Sequence, residues 1–88
     1  MENKNLKIIS KIEIIFNDEK TRDIAYKSYI PEISQIPRKR TSISIEKGNN
    51  SIIFNIEALD FTALRASVSD IINFGKIMEK GLILTKKN

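Results

Sequence analysis

The sequence predicts an α+β fold in the order β-α-β-β-α, with a three-stranded antiparallel sheet and two helices packed on one of its faces. Three observations predict it. Three short isoleucine-rich segments alternate apolar and polar residues, the two-residue period of half-buried strands. Two longer segments begin at an acidic residue suited to capping a helix. The second and third strand segments are separated only by "KGNN", short enough for a hairpin.

The first element is "LKIISKIEIIF", residues 6–16, in which Ile8, Ile12, Ile14 and Phe16 share one parity. Lys11 and Glu13 take the other parity beside Ile9 and Ile15, so one face is expected to be buried. "ND" at 17 and 18 offers a cap, and Glu19 in the first turn suits the helix dipole. This helix is expected to end near Tyr29, because Pro31 disfavours helix at the residue before it. Thr21, Ile24, Ala25 and Ser28 share one side and are mostly small, which suits close approach to a sheet. "IPEISQIPRKR", residues 30–40, is expected to be an irregular connection.

Strands at 41–46 and 51–58 follow, with Thr41, Ile43 and Ile45 on one face of the first and Ile52, Phe54, Ile56 and Ala58 on one face of the second. Gly48, Asn49 and Asn50 tolerate the positive φ angles that hairpin turns use. Asp60 is expected to cap the second helix, which should run to about Lys80 and stop at a left-handed Gly81. "LILTKKN" then reads as a short docked extension and a basic tail. The hairpin and an antiparallel first strand give the sheet order 1-3-2. The whole chain, 1–88, reads as one domain with an ordered part of about 6–84.

The composition narrows the chemistry. The chain has no Cys, no His and no Trp. That excludes disulfides, thiolate or imidazole metal sites, and Ser-His or Cys-His nucleophiles. No compact set of carboxylates, Lys, Ser or Tyr appears, so neither catalysis nor a cofactor is expected. The formal charge of +4 is scattered along the chain, which suits solubility and mildly favours nucleic acid. "MENKNLK" lacks a signal-peptide apolar segment and no run reaches a membrane span. A cytoplasmic chain is expected.

The second helix carries more apolar surface than one buried face needs. At about 100° per residue, Phe61, Leu64, Val68, Ile71, Ile72, Gly75 and Met78 share an arc wide enough to cover a sheet. Ala63, Ala66, Phe74 and Ile77 share a second arc nearly opposite, with Asp70 among them. Arg65 borders the main arc beside Phe61 and Ile72. This second arc predicts a partner protein, with Ala63, Arg65, Ala66, Asp70, Phe74 and Ile77 as candidate contacts; an arginine there suits a hydrogen-bonded anchor. Strands one and two are both sheet edges, and an unprotected edge invites pairing with a second copy.

Arg38, Lys39 and Arg40, with Lys86 and Lys87 in the tail, are candidate phosphate contacts. An independent RNA-binding module is the competing reading, but the pattern argues against it. A KH domain needs a GxxG loop, and the glycines at 48, 75 and 81 are too far apart. An RRM-like sheet displays stacking aromatics, whereas Phe16 and Phe54 have inward parity. A plain structural homodimer is the third reading.

"ALDFTALRASVSDII" after an isoleucine-rich hairpin resembles the last helix of the Pcc-type small dimerisation subunit of the KEOPS (EKC) complex, in the CTAG/Pcc family. The match runs from the acidic cap, Asp60, through Ala63, Leu64, Arg65, Ala66 and Ser67. "SYIPEI", residues 28–33, resembles the family's serine-apolar-Pro-Glu segment, and the agreement spans about residues 8–80. The chain departs from the family where Ser69 and Asp70 stand in place of a frequent Asn-Ser pair. The resemblance implies a non-catalytic homodimer whose helices pack on N-terminal helices of the ATP-dependent threonylcarbamoyl transferase subunit. It implies a complex with a kinase-like subunit and an accessory protein. That complex installs threonylcarbamoyl on the adenosine following the anticodon of tRNAs reading ANN codons, with this subunit assisting dimerisation and tRNA binding.

Overall fold

Alternating isoleucines build the sheet. In the computed structural model, which describes residues 7–35 and 40–86, strand β1 (Ile8–Ile15) alternates half-buried and exposed residues along its length. Strands β2 (Thr41–Lys47) and β3 (Ser51–Ala58) form the hairpin. Both β1 and β2 pair antiparallel with β3, giving the order β1-β3-β2. The register stacks Ile12, Phe54 and Ile45 in one row and Ser10, Ile56 and Ile43 in the next. Ile52, Phe54 and Ile56 of the central strand are fully buried, as a strand flanked on both sides and roofed by helices should be.

Helix α1 (Glu19–Gln35) and helix α2 (Phe61–Lys86) roof the same face of that sheet. Both start as their acidic residues dictate. Asp18 accepts the N–H of Thr21 at 2.7 Å, and Asp60 accepts the N–H of Ala63 at 2.7 Å. Each bond satisfies an N–H with no partner in its own helix, about 1 kcal/mol per cap.

Tyr29 joins the layers. Its ring meets Phe54 edge-on at 4.7 Å and Phe74 at 5.1 Å, and its hydroxyl donates to the carbonyl of Ile71 at 2.7 Å. Burial pushes that hydroxyl's pKa up to about 12. One side chain of α1 thus touches the central strand and bolts on to the backbone of α2.

Four local expectations are corrected. First, α1 continues through Pro31 to Gln35 rather than ending near Tyr29. Proline removes one N–H from the helix, but continuing the helix packs Ile33 against the core. Second, α2 does not stop at Gly81 but runs to Lys86, so "LIL" extends the helix. A glycine permits a left-handed stop without requiring it, and no residue among those described takes a positive φ. Third, the hairpin turn also forms without positive φ. Gly48 serves space instead, since a Cβ there would collide with the Ser51 hydroxyl.

Fourth, α2 is rotated relative to the arcs expected from its sequence. Its buried side carries Ala63, Ser67 and Ile71, flanked by half-buried Leu64, Val68 and Phe74. Phe61 and Ile72 are 68% and 46% exposed. Ala63 and Phe74 therefore belong to the chain's own packing, whereas Phe61 and Ile72 lie outside it.

Candidate interaction faces

The outward side of α2 is apolar on two flanks with a polar strip between them. Placed at about 100° per residue, Phe61 and Ile72 sit together at one border and Ala66 and Ile77 at the other. Thr62, Ser69, Asn73 and Lys76 fill the strip, and every residue named on this side is exposed. Ile77 is 66% exposed. Arg65 lies beside Phe61 and Ile72, is exposed, and makes no hydrogen bond or ion pair with another described residue. Asp70, also exposed, stands on the Ile77 side.

Of the six candidate partner contacts, four are on this outward surface: Arg65, Ala66, Asp70 and Ile77. Ala63 and Phe74 face inward. Phe61 and Ile72, assigned by sequence to the sheet side, join the exposed group. The signal was present: Arg65 lies at nearly the same helical angle as these two, and an unpaired guanidinium needs water.

Length reinforces this. At about 1.5 Å per residue, the 26 residues of α2 extend roughly 39 Å. The eight residues of β3 extend only about 26 Å. The helix is longer than the sheet it roofs.

The basic loop is only partly described. Arg38, Lys39 and Lys87, and the side chain of Lys86, lie outside the described residues. Arg40 pairs with Asp60 at 3.2 Å and Lys7 with Glu57 at 3.4 Å. Arg40, Lys7 and Glu57 border a shallow hollow of about 180 Å³ that also includes Thr41 and Ser42. Each of its cations already faces a carboxylate, which weakens any attraction for an anion.

At the opposite end of the sheet Arg22 performs a task that sequence reading missed. Its guanidinium donates to the carbonyls of Gly48 and Asn49 at 2.9 and 2.6 Å and pairs with Asp23 at 2.8 Å. Lys47 reaches the same carboxylate at 3.3 Å and lies 5.1 Å from the centre of the Tyr26 ring. Partial burial by itself raises the pKa of Asp23, but the hydrogen bonds from Arg22 and Lys47 outweigh it and hold the carboxyl below its ordinary value. This clasp fastens the hairpin turn to α1. Among the described residues no three acidic side chains converge as a metal site would require, and no helix is long and apolar enough to cross a membrane.

Comparison with known proteins fits this architecture. Residues 9–80 match the family model described as Transcription factor Pcc1. The chain belongs to the Pcc1 family. The KEOPS complex subunit Pcc1 of Pyrococcus abyssi (strain GE5 / Orsay) is 27% identical over 74 residues, covering 84% of this chain and 90% of that protein. The Pcc1 match takes in β1 from Ile9, all of α1, β2 and β3, and α2 as far as Lys80. It therefore includes both exposed flanks of α2.

Proposed function

We propose that this chain is a non-catalytic scaffold subunit of a KEOPS complex. Membership of the Pcc1 family and the name of its archaeal relative support that role. In this reading the chain self-associates and holds the ATP-dependent threonylcarbamoyl transferase subunit, in a complex with kinase-like and accessory subunits. The complex then modifies the adenosine next to the anticodon of tRNA. The basic residues Arg38, Lys39, Arg40, Lys86 and Lys87 add phosphate contacts once tRNA is bound in the assembly.

The observation that carries the reading is the outward surface of α2. It has two apolar flanks, Phe61 with Ile72 and Ala66 with Ile77, on a helix longer than its own sheet. A solvated helix needs only one apolar stripe, and exposed apolar patches bordered by polar residues mark protein interfaces. Partner helices laid along this surface would cover both flanks, with Arg65 hydrogen-bonded at the border.

Affinity capture through the tagged chain in its native cell tests this. A sugar-kinase-like ATPase should co-purify, together with tRNA that is lost when Lys39 is replaced by Glu. Ile77→Glu and Arg65→Glu, both at exposed positions, should leave stability within about 0.5 kcal/mol and abolish capture of the ATPase. Full capture by both folded variants would remove α2 as the docking surface.

A further inference from the structure

The turn that joins β2 to β3 gives its carbonyls to another part of the chain. Gly48 donates its N–H to the carbonyl of Ser51 at 2.8 Å, which closes the hairpin from one side. The carbonyls of Gly48 and Asn49 both accept from Nη1 of Arg22, at 2.9 and 2.6 Å. The carbonyl of Asn50 accepts the N–H of Phe16 at 2.7 Å. Three successive turn carbonyls are thus held from residues 16 and 22, on either side of the junction between β1 and α1.

Those bonds coincide with a backbone that local rules do not favour. Asn49 and Asn50 are the central pair of a two-residue hairpin connection. Such connections prefer primed turns with positive φ, because the twist of those turns matches that of the strands. Asparagine is one of the residues that enter positive φ most readily. Neither Asn49 nor Asn50 does so. A tertiary contact has overridden the local preference, and the Arg22 guanidinium is bonded to the turn itself.

We propose that Arg22 selects the conformation of this turn, holding Asn49 and Asn50 at negative φ, and that its withdrawal lets the turn flip to the primed form. Reversing φ at both central residues mirrors a turn. The Asn49 carbonyl then swings to the opposite face of the hairpin, away from α1. Arg22 can therefore bind one form and not the other, and only such a difference shifts an equilibrium. The guanidinium is also fixed in place. Its side chain is only 13% exposed, and Asp23 pairs with it at 2.8 Å. Its bonds to the carbonyls are charge-assisted, the stronger class of hydrogen bond. The turn becomes a latch with two positions, set by a residue of the neighbouring helix. Flipping it also displaces the Asn50 carbonyl, to which Phe16 is bonded at the end of β1.

NMR of the full chain tests this, because the coupling between N–H and Hα and the intraresidue NOE report the sign of φ. The parent should show negative φ at Asn49 and Asn50. Arg22→Ala should turn both positive while the strands keep their register, and hydrogen exchange should quicken more at Phe16 than at Ile12 or Ile14. Asp23→Asn removes the ion pair but not the carbonyl bonds, and it should leave φ negative. Asn50→Gly supplies a residue free to take positive φ. It should raise the urea midpoint of Arg22→Ala and fail to raise that of the parent. Should alanine at 22 unfold the chain, Arg22→Lys replaces the planar fork by a point charge and should populate the positive-φ form. A folded Arg22 variant with both asparagines still at negative φ would overturn the proposal. So would an equal response to Asn50→Gly in the two backgrounds.

Discussion

Tyr29 is fully buried although it carries a hydroxyl, and the glycine across from it explains how. A Cβ added at Gly75 would lie 2.9 Å from the Tyr29 hydroxyl oxygen, the one contact within 4 Å among the described residues outside its own helix. Gly75 thus leaves the room in which the hydroxyl reaches the Ile71 carbonyl. Helix propensity favours Gly75→Ala by about 1 kcal/mol, but overpacking and a displaced hydrogen bond cost about 1–3 kcal/mol. The substitution should destabilise by up to about 2 kcal/mol in denaturant unfolding. In a Tyr29→Phe background the obstructing oxygen is gone, and the same change should stabilise by up to about 1 kcal/mol. An unchanged sign in the two backgrounds would show that the hydroxyl does not dictate glycine here. This relationship was not legible in the sequence, where Gly75 was one member of an apolar arc and Tyr29 the end of a helix. Capping residues were legible, because Asp18 and Asp60 act on N–H groups three residues away and need no tertiary information.

Elements were legible as far as local periodicity extends. Strand boundaries and sheet order follow from two-residue alternation and from the hairpin spacing, both local signals. Pro31 and Gly81 misplaced the helix ends, since each weighs on a local equilibrium that packing or continued helix formation can override. The angular position of α2 was misread because a sum over apolar residues ignores that Ser67, small and buried, can sit at the centre of a contact while Phe61 sits outside it. The clasp between α1 and the hairpin joins residues about 26 positions apart (Arg22 and Gly48), beyond the reach of any periodic signal. It carries a prediction about acid. Asp23 has a lowered folded-state pKa, so its contribution is present above the ordinary carboxylate value near 4 and is lost as pH falls through the lower, folded value. Asp23→Asn should therefore lower the unfolding midpoint at neutral pH, and the difference from the parent should shrink below about pH 4. A difference that persists unchanged into acid would mean that the clasp does not act through the Asp23 charge.

At the scale of the whole molecule the question is how an 88-residue chain with a small one-sided core remains folded. Chains of this size bury a modest fraction of their surface, and association commonly supplements it. Here the second face of the sheet carries Ile9 and Ile15 in the open, and among the described residues both outer strands are edges of the sheet. Pairing of two copies through an outer strand would remove two of the four edges in the pair. If folding and pairing are coupled in this way, stability follows mass action. A hundredfold rise in concentration should add about 2.7 kcal/mol to the unfolding free energy of the pair. For a unit of this combined size that shifts the thermal midpoint by roughly 5–10 °C. Scanning calorimetry of the parent chain across that range should show the shift. A parent midpoint that does not move with concentration would mean that each copy carries its full stability alone, and the open edge would then contribute nothing to holding the fold.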